Sequence, residues 1–295
     1  MKFELTSDQR DFAKTLDSLL SSANTPSVAR AWAAGDHASG LELWRRLTDL
    51  GVPALLVPEE DDGVGASAVE HVIAMEALGR HAVPGPWIES AGYLATCADP
   101  SVRKAVAAGT VGTVERDGYA LDADVAELLL GGQVGERVAS VDPVRRLFRA
   151  TSAPADPGIS LKTATLAASA QLLGAGERML ADSVEYVQER TQFGRPIGSY
   201  QAIKHALADV RIALDFVRPL VYAAALDEIS VSAAKVAAGD AAYLASRTAL
   251  QVHGAIGYTR EHDLSLWLLR VRGLMSSWGT ARMHRVLLID ELTEA

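Results

Sequence analysis

Apolar positions return every three to four residues over most of this chain, the period of a helix face. Thr6 and Gln9 have capping-box spacing and open a run that puts Phe12, Leu16 and Leu19 on one side. Residues 22–39 contain Pro26 and many alanines and read as a broken helix. Leu43, Trp44 and Leu47 mark the next helix, ended by Gly51 and Pro53. After a loop with Pro58, Gly63 and Gly65, a further helix carries Val69, Val72, Ile73, Met75 and Leu78. It is expected to stop near Gly79, ahead of the Pro-Gly-Pro-Trp at 84–87.

From 99 to 158 the pattern shifts to short β-branched runs separated by turns. Asp117-Gly118 is a hairpin signal and Gly131-Gly132 a second turn, so a small, mostly antiparallel β domain is expected. The final half returns to helical spacing. Leu166, Leu173, Leu180, Val184 and Val187 form one stripe; Ile203, Leu207, Val210, Leu214, Val217 and Val221 form another. The second stripe suits a helix of an antiparallel bundle, with Pro219 placed to kink its end. Residues 232–252 give a third, alanine-rich helix with Val236, Tyr243 and Leu250 at heptad spacing. A short helix over 281–292 closes the sequence.

Composition narrows the function classes. Hydrophobic residues make up 49% of the 295 and aromatics only 6%, which suits packed helices with an ample core. A net charge of −9 argues against a nucleic-acid partner. The single cysteine, Cys97, excludes an internal disulfide and a multi-cysteine metal site. No apolar segment of signal-peptide or membrane-span length is present, so a cytoplasmic protein without membrane insertion is expected.

Two stretches carry chemistry that packing does not require. The first is ERTQFGRPIGSYQAIKHALAD at 189–209. Arg190 offers a planar guanidinium suited to a pyrophosphate, Phe193 can pack on a planar ring, and Gly194 lets backbone approach a ligand. An isolated R-x-x-F-G reads more readily as a helix C-cap with a surface arginine. The second is QVHGAIGYT at 251–259, whose two glycines also permit close approach; its plain reading is a helix end and loop. His253 and His262 lack a carboxylate or cysteine cluster at ligand spacing, so no metal is expected.

The full run from Arg190 through Gln201, His205 and Asp209 resembles the signature of acyl-CoA dehydrogenases, flavoenzymes that oxidise the Cα–Cβ bond of acyl-CoA thioesters. The 251–259 stretch is similar to a second family motif, with Ala255 in place of its second glycine. The resemblance implies a mainly α fold with a small β domain. Its parts would be an N-terminal helical domain (1–98), a shortened middle β domain (99–158) and a C-terminal antiparallel four-helix bundle (159–295) bearing the FAD contacts and an oligomer interface. It also implies that Arg190, Gln192, Phe193 and Gln201 touch the FAD of a neighbouring subunit. Gln251, His253, Gly254 and Ala255 would receive the far end of that nucleotide, and Thr280 is the remaining cofactor-contact candidate.

The departures from the family are as informative. Its flavin-side motifs, a Thr-Glu-Pro followed by Gly-Ser-Asp and a later Trp-Ile-Thr, are absent. Removing an α proton from a thioester needs a carboxylate base, and the family keeps it just before a carboxyl-terminal Gly-Thr. Trp278 stands there, before Gly279 and Thr280. In the alternative position, on the helix that opens the last domain, stands Lys162, with Thr163 where the family has an arginine. The expected catalytic set in this chain is therefore none. The pattern implies a subunit that completes the FAD site of a homologous catalytic chain, in an α2β2 assembly of a kind found among bacterial enzymes acting on steroid side-chain CoA esters. Its partners would be that chain, an acyl-CoA and an electron-transfer flavoprotein or similar acceptor. Two alternatives stay open: a self-sufficient homomer with a displaced base (Glu177, Glu185 or Asp263), and a flavin-free scaffold or CoA-binding protein.

Overall fold

The computed structural model describes residues 4–151 and 159–294. Helix α1 (Ser7–Ser22) begins at the expected capping box: Thr6 Oγ1 accepts from the Gln9 N–H at 3.2 Å, and Gln9 Oε1 accepts from the Thr6 N–H at 3.0 Å. It is followed by α2 (Thr25–Ala34), α3 (Ala38–Asp49) and α4 (Ala68–Arg80). Leu16, Leu20, Trp32, Leu43, Leu47, Val72, Met75 and Leu78 form the core between them. Trp44 stacks on Trp87 with ring centroids 3.8 Å apart. α4 ends at Arg80, beside Gly79 as expected. Gly79 itself sits in the last turn, where an added Cβ would stand 2.2 Å from the Gln171 carbonyl oxygen, so the glycine is also needed for packing. A single π-helical turn at Ile88–Tyr93 and α5 (Pro100–Ala107) complete this half.

The sheet has strands β1 (Gly112–Arg116), β2 (Tyr119–Leu121), β3 (Leu128–Leu130), β4 (Val134–Val138) and β5 (Leu147–Ala150), in the order β3-β1-β2-β5-β4. β1 and β2 form the hairpin expected at Asp117-Gly118, both residues having positive φ (53° and 83°) as a two-residue primed turn requires. The sheet is mixed, because β1 pairs with β3 in parallel while the other neighbours are antiparallel. The Gly131-Gly132 turn therefore leads from one edge strand to the other.

The rest is helical: α6 (Ile159–Glu189), a small hairpin of β6 (Thr191–Gln192) and β7 (Arg195–Pro196), then α7 (Gln201–Ala225), α8 (Val231–His253), α9 (Leu264–Ser276) and α10 (Ala281–Glu294). α6 is the axis, packed against α4, α7, α8 and α9. Leu166, Leu173, Leu180 and Val187 are buried, whereas Val184 is exposed. In α7 the stripe from Leu207 to Val221 is buried, and the helix runs through Pro219 to Ala225. α8 differs from expectation: Val236, Tyr243 and Leu250 are half-buried, and alanines 234, 238, 241, 242, 245 and 249 form its core face. Glu76 of α4 and Glu177 of α6 both bind Arg218 of α7 at 2.9 Å, fastening three helices together.

Candidate functional site

The two sequence motifs meet at one end of α6. Arg190 follows that helix directly, its N–H donating to the Tyr186 carbonyl at 2.9 Å. The Tyr186 ring stacks on His253 of α8, centroids 4.4 Å apart, so the Arg190 hairpin and residues 251–259 share a surface. Residues 191–196 are not a helix C-cap. They form a two-residue primed turn in which Phe193 (φ 53°) and Gly194 (φ 81°) occupy the tip. That turn leaves Phe193 90% exposed, the most exposed of the large apolar side chains among the described residues. Arg190, Gln192, Gln201, Gln251 and Ala255 are exposed around it, and the Arg190 guanidinium has no ion pair among the described residues. Gly254 takes φ +62° with open space where a Cβ would be. His253 is different: its ring is buried, lies edge-on to His262, and Nδ1–H donates to the Ala249 carbonyl at 2.8 Å. Burial lowers its pKa, so it is a neutral packing group rather than a presented donor.

Thr280 and Trp278 belong to the other end of the bundle. The Thr280 hydroxyl accepts from the Met283 N–H at 3.3 Å and caps α10. Trp278 adopts φ +58°, a strained conformation for a bulky residue, and the surroundings fix it. Its carbonyl accepts from His284 Nε2 at 2.9 Å and lies 3.5 Å from Thr165 Oγ1. Since a carbonyl only accepts, His284 carries its proton on Nε2. Burial keeps the ring neutral, so Nδ1 accepts a hydrogen bond from the Ser232 hydroxyl at 3.0 Å. Lys235 Nζ donates to the carbonyls of Gly279 (3.0 Å) and Met275 (3.4 Å). The indole is 7% exposed, sandwiched between Tyr93 and the Arg116 guanidinium, each 5.3 Å from it.

Beside the indole lies a cavity of about 190 Å³ where the amino-terminal helices, the sheet and the α9–α10 turn converge. Lys162 does not line it. Lys162 binds Asp227 at 2.5 Å across a separate cavity on the far side of the Trp278 turn. Nor do the three displaced-base candidates: Glu177 is held by Arg211 and Arg218, Glu185 is exposed, and Asp263 binds Arg30 at 2.7 Å. Two carboxylates do line the cavity: Glu89, buried, with Arg145 beside it at 3.5 Å, and Asp117, exposed at its rim. Sequence reasoning missed both Glu89 and Arg145. Glu89 lies in a π-helical turn, which has no periodic signature, and Arg145 in an irregular β4–β5 connection.

Residues 6–106 match the acyl-CoA dehydrogenase N-terminal domain and residues 160–293 the acyl-CoA dehydrogenase C-terminal domain. Acyl-CoA dehydrogenase IpdE2 of Mycobacterium tuberculosis is 34% identical over 88% of this chain and 89% of its own length. The chain belongs to the acyl-CoA dehydrogenase family. Among solved structures, a chain of the ChsE4-ChsE5 complex from Mycobacterium tuberculosis aligns over 100% of this chain and 100% of its own length, with a TM-score of 0.81 at 23% identity. The Tcur3481-Tcur3483 steroid ACAD aligns over 97% of this chain and 98% of that one, with a TM-score of 0.82 at 20% identity. Both show the shared fold. No helix among the described residues is long and apolar enough to cross a membrane.

Members of this family are FAD flavoproteins, and the two ends of the bundle differ in how they fit that cofactor. At the hairpin end, an unpaired guanidinium, a bare aromatic ring and open glycine backbone leave room and donors for a nucleotide. Around Trp278 the fit fails. The cavity is smaller than the roughly 300 Å³ at which small-molecule sites begin, and Tyr93 and Arg116 already cover the indole.

Proposed function

We propose that this chain is a non-catalytic subunit of an FAD-dependent acyl-CoA dehydrogenase and completes the flavin site of a related catalytic chain. The observation that carries this reading is the separation of the two ends of α6. Thr165 touches the Trp278 turn and Glu189 precedes the hairpin, so the two regions lie about 36 Å apart at 1.5 Å per residue. The hairpin therefore cannot serve the cavity beside Trp278 in its own chain, and another subunit is the natural recipient. Arg190 would pair with the nucleotide's pyrophosphate, Phe193 would lie on a flat ring, and the open backbone at Gly254 would admit the far end. Held there, FAD would supply the hydride acceptor for the chemistry at Cβ, and the carboxylate base for the α proton would come from the partner.

An exposed stripe supports the same arrangement. Gln201, His205, Asp209, Ile212 and Phe216 follow one another along a single face of α7, linking the cofactor end to uncovered apolar side chains. Leu244 and Gln251 do the same on the adjacent α8. The proposed substrate class, a steroid side-chain CoA ester, leans on the likeness to the solved steroid enzyme, and the electron acceptor would be an electron-transfer flavoprotein or its equivalent. Production of this chain alone, and together with a homologous catalytic subunit, tests the reading. Colourless protein alone and one FAD per heterodimer are expected. A yellow, active protein from this chain alone would instead favour a self-sufficient enzyme, for which Glu89 is the carboxylate in place. A colourless mixture would leave a flavin-free scaffold.

A further inference from the structure

The last helix carries an apolar side that nothing covers among the described residues. α10 lies on α8, bound through His284 to Ser232 at 3.0 Å and through Arg285 to Asp240 at 3.1 Å. Met283, Val286, Leu287, Ile289 and Leu292 are each about half exposed or more. Val286 is two positions beyond His284, so at about 3.6 residues per turn it points away from α8. Met283 and Ile289 flank it on the same outward side. Single exposed apolar side chains are ordinary, but a row of them on one face marks an interaction surface.

The charges on α10 run the wrong way for a helix on its own. Arg282 stands in the first turn, where the dipole disfavours a cation, and Asp290, Glu291 and Glu294 gather toward the C-terminus, where it disfavours anions. No acidic residue in the first turn and no basic residue in the last offsets them. Arg285 is taken by Asp240, but neither Arg282 nor Asp290 has an ion pair among the described residues. The pattern is also symmetric about Val286. Arg282 comes four residues before it and Asp290 four after; Met283 comes three before and Ile289 three after. A second α10 laid antiparallel, with a two-fold axis at Val286, sets Arg282 against Asp290, Met283 against Ile289, and Val286 against itself. Each misplaced charge then lies beside the opposite charge and the opposite dipole end of the other copy.

We propose that two copies of this chain associate through antiparallel α10 helices. The surface is that of one helix, at the small and weak end of specific interfaces, so a dissociation constant on the order of 10 μM is expected. The contact uses neither the Arg190 hairpin nor the α7 stripe and does not depend on the subunit reading. In a complex with a catalytic chain it would join two heterodimers.

Sedimentation velocity of the full chain alone, between about 1 and 100 μM, tests the proposal. Arg282→Asp and Asp290→Arg each place like charges at both ends of the two-fold contact and should weaken the dimer about tenfold. Both changes suit the helix dipole, so neither should lower the melting temperature. Mixed in equal amounts, the two variants bring acid against base at both ends and should associate as tightly as wild type. A role confined to the fold of one chain would give no such rescue. Val286→Asp, doubled on the axis, should abolish association. A wild-type chain still monomeric at about 100 μM, a mixture no tighter than its components, or a dimer that survives Val286→Asp would overturn the proposal. So would a dimer lost through Phe216→Asp, which would place the contact on α7. Neither flavin nor a catalytic chain is present, so failure leaves the proposed subunit role untouched.

Discussion

Lys235 sets burial directly against charge. It is 3% exposed, and among the described residues no carboxylate pairs with it and its acceptors are the carbonyls of Met275 and Gly279. Burial first, and the Arg145 charge second, push its pKa down from 10.5 to about 8. Between those values the unfolded chain binds more protons than the folded one, so stability rises with pH across that window. The penalty is complete below about pH 8 and is worth roughly 3 kcal/mol. Wild-type protein should therefore gain melting temperature between pH 8 and 10 relative to Lys235→Met. A constant calorimetric difference between the two would count against the assignment. What the buried ammonium secures is the left-handed turn at Trp278. That same turn explains why replacing the indole is not enough. Trp278→Glu restores a carboxylate, yet the small cavity and the missing flavin-side motifs remain, so this variant alone should show no turnover with FAD and acyl-CoA. Measurable turnover would mean that only the base had been lacking.

At the scale of elements, contact between α4 and α6 depends on two glycines. A Cβ on Gly174 would meet the Glu76 carbonyl oxygen at 2.0 Å, closer than any real contact, just as one on Gly79 would meet Gln171. Gly174→Ala should destabilise the chain by about 3 kcal/mol, at the upper end for overpacked cores. Gly239→Ala in α8, where a Cβ meets nothing within 4 Å, should instead stabilise by about 0.5–1 kcal/mol. Thermal melts of both variants provide the check, and equal shifts would contradict the packing account. These contacts also mark the limit of what the sequence discloses. The helices α1, α3, α6 and α7 were legible because large apolar residues recur on one face and caps or glycines bound them. The α8 helix was legible as a helix, but its core face was not, because alanine carries little hydrophobic contrast. The α9 helix was missed altogether: Leu264, Leu266, Trp267, Arg270, Val271 and Leu274 are all buried, so no polar face reveals its period. Asp117-Gly118 announced its hairpin, whereas Phe193-Gly194 was read as a helix end, because a non-glycine residue at positive φ is rare. At the candidate site, Arg190, Phe193 and Gln201 could be found as a motif. Glu89 and Arg145 could not, because only the fold brings them beside Trp278.

For the whole molecule, the length of α6 holds the cofactor-contact end and the Trp278 end apart. One end presents Arg190 and Phe193 outward; the other closes on Trp278. Docking and cofactor retention should therefore fail independently. Phe216 lies on the uncovered stripe of α7 and is 72% exposed, so Phe216→Asp should leave the isolated chain folded. Against a partner, the buried carboxylate would be left unpaired, and the complex should be lost on size-exclusion chromatography. Arg190→Ala acts at the cofactor end alone. Removing one bidentate guanidinium should weaken flavin retention by about 1.5–3 kcal/mol, roughly ten- to a hundredfold, while the complex still elutes as one species. The two readouts are separate, one by light scattering across the eluted peak and one by flavin absorbance within it. If Arg190→Ala kept its full flavin content, the hairpin would be a docking element only. If Phe216→Asp still assembled, the partner would be using another face, with the apolar side chains of α10 as the next surface to test.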